Sequence, residues 1–257
     1  PFHWVCKNPT TECPGVYRFS ILTGTVFENT KVPLKTWFEV IYLMTQSKKG
    51  ISALQVHRMI DPTYGHTGSY RTAWYMCHRI RAAMQDGFFK VGGGGDAVEI
   101  DETYIGGKEA NKHRSKRKWI GGGTGGKVGV VGAIARKGNV VCRVIGDLDA
   151  PTIKAFVHRA VDSNVSLIAT DEHAAYRNLR REGYPQHQSV DHRKHEYVRG
   201  LVHTAHIDSF WSLLKRGIMG SFHHVSKDYL PLYLNEFSFR HNHRDNPDIF
   251  SAVLAGC

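Results

Sequence analysis

The hydrophobic pattern of the chain changes at four consecutive glycines, Gly92–Gly95. Before these glycines, apolar residues recur at the three- and four-residue spacing of amphipathic helices. After them come short apolar runs bounded by turn residues, which is the pattern of strands. Residues 89–96 have no periodicity and are predicted to be a linker. We therefore expect a helical region followed by an α/β region.

The region before the glycines is predicted to contain three short helices. Helical periodicity covers residues 34–44, 52–60 and 70–84, with a turn-rich stretch between the second and the third. Three short helices with a tight break resemble a helix-turn-helix unit. Residues 31–88 are therefore predicted to form a DNA-binding region.

The third of these helices carries basic residues suited to DNA. Its polar face is predicted to hold four of them: Arg71, His78, Arg79 and Arg81. Such residues contact phosphates or read base edges in the major groove. The alternative is a solvated basic face without a partner. Of the four, Arg71 and Arg79 are the ones that we expect to contact DNA.

The region after the glycines predicts a mixed sheet. Strands are expected over residues 97–101, 127–135, 139–145 and 165–170, and helices over 152–161, 206–216 and 228–240. Three strands with hairpin-like links, then a helix and another buried strand, predict an α/β mixed sheet flanked by helices. This order matches the ribonuclease H type of fold. The domain is expected to span residues 97–245, with a C-terminal tail at 246–257.

The charge of the chain favours an anionic partner. Thirty-four Lys and Arg against 23 Asp and Glu give a formal net charge of +11 and a pI near 9.5, which fits nucleic acid. Residues 106–127 are rich in glycine and in basic residues, and Lys116, Arg117 and Lys118 are predicted to contact DNA there. The alternative is an inert surface loop.

The cysteines and apolar runs bear on the compartment. Five scattered cysteines do not form a disulfide pattern, and no run of about 18 uncharged apolar residues occurs, so we expect a soluble, cytoplasmic protein. Six residues separate Cys6 from Cys13, where a zinc knuckle has two to four, so structural zinc is not expected. The missing initiator methionine suggests a start inside a longer reading frame.

Acidic residues follow two of the predicted strands. Asp101 comes after the apolar run that begins at Ala97, and Asp171 comes directly after residues 165–170. Acids at the ends of buried strands commonly build metal sites, although Asp is also a common turn residue. A third acid, Asp208, lies two helical turns before Lys215, so a carboxylate and an ammonium would share one helix face.

Three such carboxylates fit phosphodiester chemistry. Two divalent ions about 4 Å apart activate the attacking oxygen and stabilise the leaving oxygen. Mg²⁺ prefers oxygen ligands. The 16 histidines suggest a His-based centre as the alternative, but they lack a pattern such as two His four apart with an intervening Glu.

The sequence resembles insertion-sequence transposases of the ISXO-like group, in the superfamily named for its Asp-Asp-Glu triad. The resemblance runs from about Phe19 to Arg244, and its motifs occur in order: Val98–Lys108, Thr170–Tyr176, His203–Gly217, His223–Ser226 and Tyr233–Asn242. It implies a ribonuclease H-like catalytic domain that cleaves element ends and transfers strands with Mg²⁺ or Mn²⁺. It also implies an N-terminal zinc ribbon, of which residues 1–30 would be a degenerate or truncated remnant, and a homo-oligomer on DNA.

The resemblance carries over residue by residue to the acids. Asp101 and Asp171 match the first two catalytic acids and metal ligands, and Asp208 stands where the family most often has Glu. Lys215 matches the Lys that follows, and we expect it to contact DNA together with Arg216. Because Asp is one methylene shorter than Glu, its carboxylate would lie about 1 Å further back, and His206 is an alternative third ligand.

Three functions therefore remain open at this point. The first is a DNA transposase that cuts element ends and joins them to target DNA. The second is a remnant that binds DNA without catalysis. The third is a ribonuclease H-like nuclease, which would share the triad and leave hydrolysed ends without joined strands.

Overall fold

The computed structural model describes residues 3–6, 17–64, 69–87, 89–107, 111–117, 126–191, 194 and 196–257. The chain divides into two compact units. The first holds residues 1–47, 51–84 and 248–257, and the second holds residues 48–50 and 85–247. In the described part of the chain, no helix is long and apolar enough to cross a bilayer.

The secondary-structure elements are numbered in chain order. The strands are β1 (Trp4–Cys6), β2 (Tyr17–Phe19), β3 (Ala97–Ile105), β4 (Val128–Ala135), β5 (Val140–Ile145), β6 (Leu167–Asp171) and β7 (His187–Val190). The helices are α1 (Leu34–Gln46), α2 (Ala53–Tyr64), α3 (Tyr70–Ala83), α4 (Ala150–Ala160), α5 (Ala205–Gly217), α6 (Leu230–Asn242) and α7 (Ile249–Ala255).

The first unit is built mainly from helices, and the three predicted helices are present as α1 to α3. The apolar face of α1 is buried through Trp37, Val40, Ile41 and Met44. The Ser69 side chain accepts a hydrogen bond from the Thr72 amide at 3.4 Å, which satisfies one of the free amides at the start of α3. Helix α2 continues past its predicted end to Tyr64, and residues 65–68 lie outside the described residues.

The C-terminal segment, predicted as a tail, forms α7 and packs within the first unit. The Asp248 carboxylate accepts a hydrogen bond from the Ser251 amide at 3.0 Å and so caps the helix. Val253 is buried, and the Phe250 ring meets the Phe38 ring edge-on. The prediction missed this helix because seven residues with a single buried position give no readable periodicity.

The second unit contains a five-stranded mixed sheet, which confirms the predicted ribonuclease H-like architecture. The strand order is β5-β4-β3-β6-β7. Strands β3, β4 and β5 are antiparallel neighbours, whereas β6 runs parallel to both β3 and β7. The sequence pattern did not reveal β7, because its four residues, His-Gln-Ser-Val, lack an apolar alternation.

Helices cover both faces of this sheet because side chains alternate between the faces along each strand. One face carries Val98 and Ile100 of β3, which belong to one core with residues of α4. The other face carries Ile105 and Val130, which pack with residues of α5 and α6. The sheet of the second unit is thus buried between two layers of helices, as the α/β prediction for residues 97–245 expects.

The segment predicted as a linker, residues 89–96, packs onto the second unit. The Val91 amide donates to the Ala160 carbonyl at 2.8 Å, and the Asp162 amide donates to the Val91 carbonyl at 2.9 Å. Gly92 has a φ of +85°, and a Cβ there would lie 2.4 Å from Val165 Cγ1. Val91, which is buried, therefore anchors this segment to the rest of the unit.

A glycine on β4 lets α5 approach the sheet closely. A Cβ on Gly132 would lie 2.7 Å from Cη2 of Trp211 and 3.2 Å from Cδ1 of Ile207, both on α5. Real Cβ atoms do not come so close to other atoms, so α5 can lie here only because Gly132 has no side chain.

We expect Gly132→Ala to destabilise the protein by about 1–3 kcal/mol, because the added methyl group forces the Trp211 indole and α5 away from the sheet. Urea denaturation measures the loss. Gly129→Ala on the same strand is the matched control, since its Cβ would meet Ile145 Cγ1 at an ordinary 3.4 Å. Equal losses in the two variants would contradict this explanation.

Candidate active site

The register of two parallel strands aligns the first two candidate acids. Glu99 of β3 lies opposite Ala169 of β6, where the pairing of the two strands ends, and Asp101 and Asp171 each follow two residues later on their strands. Side chains two residues apart lie on the same face of a sheet. The two carboxylates therefore belong to one face, the face that α5 covers.

Strand β3 does not end at Asp101, as its apolar run predicted, but continues to Ile105. Its pairing with β6 stops at Glu99, whereas its pairing with β4 continues to Ile105. Thr103 and Tyr104 favour a pleated strand, which explains the extension. Asp101 thus lies just beyond the point where β6 and β3 stop pairing.

The third candidate acid, Asp208, is carried by α5. Its neighbours Ile207 and Trp211 are buried against the sheet, above Gly132, which is the cross-strand partner of Asp101. Asp208 is exposed and lines an open cleft together with Asp101. A second, smaller pocket holds Asp171, with Glu172, His173, Tyr176 and Arg177 among its lining residues.

The cleft concentrates negative charge around Asp101. Burial is the largest cause that raises the pKa of Asp101 to about 8, and the charges of Glu102, Asp208 and Asp171 raise it further. The Nε1 group of Trp211 donates a hydrogen bond to Oδ2 of Asp101 at 3.0 Å. Asp101 is therefore a carboxylate whose negative charge the protein itself leaves largely uncompensated.

Glu102 projects to the opposite face of the sheet from Asp101. The Tyr176 hydroxyl donates to Oε2 of Glu102 at 2.7 Å, and burial raises the pKa of Glu102 above its ordinary value. Burial, followed by the nearby Glu102 charge, raises the pKa of Tyr176 well above its ordinary range. The tyrosine therefore stays a hydrogen-bond donor that holds Glu102 in place.

The acid cluster fits a hard divalent cation. Asp101, Asp171 and Asp208 offer only carboxylate oxygens, the ligands that Mg²⁺ and Mn²⁺ prefer. A cation would also stabilise the ionised form of Asp101, whose pKa is raised first by burial and then by the neighbouring carboxylates. Asp101 and Asp208 line one cleft, and the charge of Asp171 acts on Asp101, so these three acids are the candidates for holding a catalytic metal. Their ligand atoms do not all lie within 4.8 Å of one another.

A second group with metal-ligand atoms lies beside the first. Ligand atoms of Glu99, His203 and His206 lie within 4.8 Å of one another. Oε1 of Glu99, however, already receives the Arg136 Nε group at 2.9 Å, and its Oε2 receives the His206 amide at 2.8 Å. A guanidinium in direct contact opposes a bound cation, so this group is better described as a buried ion pair.

The predicted DNA-binding residues occupy different parts of the chain. Lys215 and Arg216 are exposed and line the same cleft as Asp101. Arg71 is exposed on α3, and Arg117 is exposed in the segment 111–117. Arg79 is half-buried, and its guanidinium donates to the Thr25 carbonyl and the Tyr75 hydroxyl. Lys118 lies outside the described residues, as does the side chain of Lys116.

Two other residues of α3 are not available to DNA. His78 and Arg81 were expected on its basic outer face, but they are 7% and 1% exposed. The imidazole of His78 stacks on the Trp74 ring at 3.9 Å between centroids. The expectation was wrong because α3 is covered on several sides, so its apolar residues occupy more than one stripe.

The sequence pattern did not identify Glu99 and Trp211 as residues of the site. Trp211 was assigned only to the apolar stripe of α5, although its indole also donates to Asp101. Glu99 carried a usable signal, since a charged residue between Val98 and Ile100 in an apolar strand must be buried with a partner.

The comparisons with known proteins agree on one family. Residues 93–242 match the model of the ISXO2-like transposase domain. An uncharacterized protein in transposable element ISH50 of Halobacterium salinarum is 30% identical over 231 residues, which cover 86% of this chain and 74% of that protein.

One structural match concerns a chain of the simian T-cell lymphotropic virus intasome in complex with PP2A regulatory subunit B56 gamma, determined by cryo-electron microscopy. The match covers 79% of this chain and 65% of that chain, at 11% identity. Its TM-score of 0.32 is too low to support an inference.

The raised pKa of Asp101 predicts how stability depends on pH without metal. Folded protein binds the Asp101 proton more tightly than the unfolded chain does, so stability should fall as pH rises from about 4 through about 8. Asp101→Asn cannot ionise and should lose less stability over this range. Denaturant midpoints in EDTA at the two ends of the range measure the difference. An identical pH dependence in both proteins would contradict the burial of this charge.

Proposed function

We propose that this chain, which belongs to the ISXO2-like transposase family, catalyses metal-dependent cleavage of transposon ends and strand transfer into target DNA. The observation that supports the proposal is that Asp101 of β3 and Asp208 of α5 line one cleft, while the charges of Asp208 and Asp171 both act on Asp101. Burial, followed by the nearby carboxylate charges, raises the pKa of Asp101, and a bound cation would stabilise its ionised form.

The chemistry divides between the metal and the chain. Divalent ions, when bound, stabilise the attacking and leaving oxygens of an in-line displacement at phosphorus. Asp101, Asp171 and Asp208 would hold them. The Trp211 indole fixes the orientation of Asp101 through its hydrogen bond to Oδ2, which leaves Oδ1 for the cation.

Basic residues along the cleft would bind the substrate. Lys215 and Arg216 are exposed on the same cleft, about two helical turns beyond Asp208 on α5. Ammonium and guanidinium groups in this position hold DNA phosphates while the acids remain free for metal. We propose that Arg71, Arg79, Lys116, Arg117 and Lys118 add further DNA contacts, and that the protein acts as a homo-oligomer on DNA.

Terbium luminescence tests the metal site without relying on activity. Tb³⁺ binds oxygen ligands, and an ion on Asp101 would lie close to the Trp211 indole, whose Nε1 is 3.0 Å from Oδ2. We expect tryptophan-excited Tb³⁺ emission that excess Mg²⁺ suppresses. Asp101→Asn and Trp211→Phe should abolish it. Asp228→Asn, which changes an exposed acid that lines neither pocket, should not. Emission that survives Asp101→Asn would place the ion elsewhere.

DNA cleavage tests the proposed reaction itself. The substrate is a plasmid carrying the DNA that flanks this gene, incubated with Mg²⁺ or Mn²⁺. We expect cleavage at the element ends followed by joining to target DNA. Asp101→Ala and Asp171→Ala should reduce cleavage about 100-fold or more, because each removes a metal ligand, while DNA binding is retained.

The products separate the three candidate functions. Hydrolysed ends without joined strands would favour the nuclease. DNA binding without cleavage in the wild type, with cleavage restored in Asp208→Glu, would identify a disabled transposase whose third acid is too short. Joined strands from the wild type that are lost in Asp208→Ala and kept in His206→Ala would establish that Asp208 completes the triad in its present form.

A further inference from the structure

Glu99 is a fully buried carboxylate on the same strand and the same face as Asp101. Its side chain is 0% exposed, and Arg136 Nε donates to its Oε1 at 2.9 Å. The guanidinium also donates to the carbonyls of Leu201, at 2.6 Å, and His203, at 3.3 Å. A buried charge is costly unless it is paired and hydrogen-bonded, and the contacts of Glu99 meet both conditions.

The second oxygen of Glu99 caps a helix that belongs to another part of the chain. Oε2 accepts from the backbone amides of His206 at 2.8 Å and Ile207 at 3.2 Å, in the first turn of α5. Thr204, the residue that precedes α5, does not cap the helix with its own side chain. Its hydroxyl donates to Oδ2 of Asp208 at 3.1 Å instead. The capping carboxylate therefore comes from β3, where it also meets the positive end of the helix dipole.

Two residues of β3, Glu99 and Asp101, are hydrogen-bonded to α5, and Nδ1 of His206 also lies 2.8 Å from Oε1 of Glu99. Glu99 accepts from the amides at the start of the helix, and Asp101 accepts from the Trp211 indole. Asp208 lies between the two attachment points on the helix. The translation and rotation of α5 along the strand are thereby restricted at both sides of the third acid.

We propose that Glu99 is a positioning residue that sets Asp208, and through Trp211 also Asp101, in the arrangement that binds metal. The role of Glu99 in catalysis rests on the proposed function. Its role in positioning the acids for metal binding does not require that the protein cleaves DNA. Some residues hydrogen-bond to metal ligands without binding the metal themselves. Removing such a residue typically lowers metal affinity or activity by about 10–100-fold.

The test compares Glu99→Gln with Glu236→Gln. Glu236 is also 0% exposed and is paired with Arg240 at 3.0 Å, on α6, so both variants remove a buried negative charge beside an arginine. We expect Glu99→Gln to raise the Tb³⁺ and Mg²⁺ concentrations for half-saturation by about tenfold or more. It should lower kcat on DNA and leave KM unchanged. Folded Glu236→Gln should have the same metal concentrations for half-saturation and the same kcat as the wild type.

Glu99→Asp keeps the test valid if Glu99→Gln does not fold. It retains the negative charge beside Arg136 but withdraws the carboxylate by one methylene, so it cannot serve both the guanidinium and the helix amides. We expect weakened Tb³⁺ binding and faster amide hydrogen exchange at His206 and Ile207. Wild-type affinity and exchange in a folded Glu99 variant would overturn the proposal.

Two further results have defined meanings. Stoichiometric Zn²⁺ binding that is lost both in His203→Ala and in Glu99→Gln would make Glu99 a metal ligand and would also overturn the proposal. If the wild type binds Tb³⁺ but does not cleave DNA, and Glu99→Gln weakens Tb³⁺ binding, the proposed function fails while the positioning role of Glu99 stands.

Discussion

The parallel pairing of β3 with β6 decides where the acidic residues of this chain meet. Parallel strands bring corresponding positions side by side, and Asp101 and Asp171 each follow two residues after the pairing of Glu99 with Ala169. A shift of the register by one residue would turn one of these acids to the opposite face. Register at this point is secured by the apolar residues around it, since Val98 and Ile168 are fully buried.

The acid cluster is a local source of instability that the surrounding structure tolerates. Burial, followed by the charges of neighbouring carboxylates, raises the pKa of Asp101, and that energy must be offset by packing elsewhere. Sites that bind metal commonly combine such repulsion with a rigid framework. Here the framework is a buried sheet between two helical layers, with Trp211 in contact with both the sheet and the acid.

The sequence predicted much of the fold and the three candidate acids, because both depend on local patterns. Apolar periodicity identified α1 to α3 and the strands β3 to β6, while Asp101 and Asp171 stood out as acids after apolar runs. The positions that the sequence did not reveal depend on contacts between distant segments. Glu99 meets α5 across more than 100 residues of chain, and the covered sides of α3 that bury Arg81 follow from tertiary packing.

Strand β7 forms one edge of the five-stranded sheet. It lies at the end of the strand order, where the backbone groups of an edge strand can pair with a strand from another molecule. The carbonyls of His187 and Ser189 instead accept hydrogen bonds from the guanidinium groups of Arg180 and Arg199. Four residues offer such a strand little length to pair with, and His187, Gln188 and Ser189 give no apolar surface to bury. Strand β7 is short and mostly polar, so a hydrophobic pattern does not predict it. The same two properties protect the folded chain against edge-to-edge aggregation.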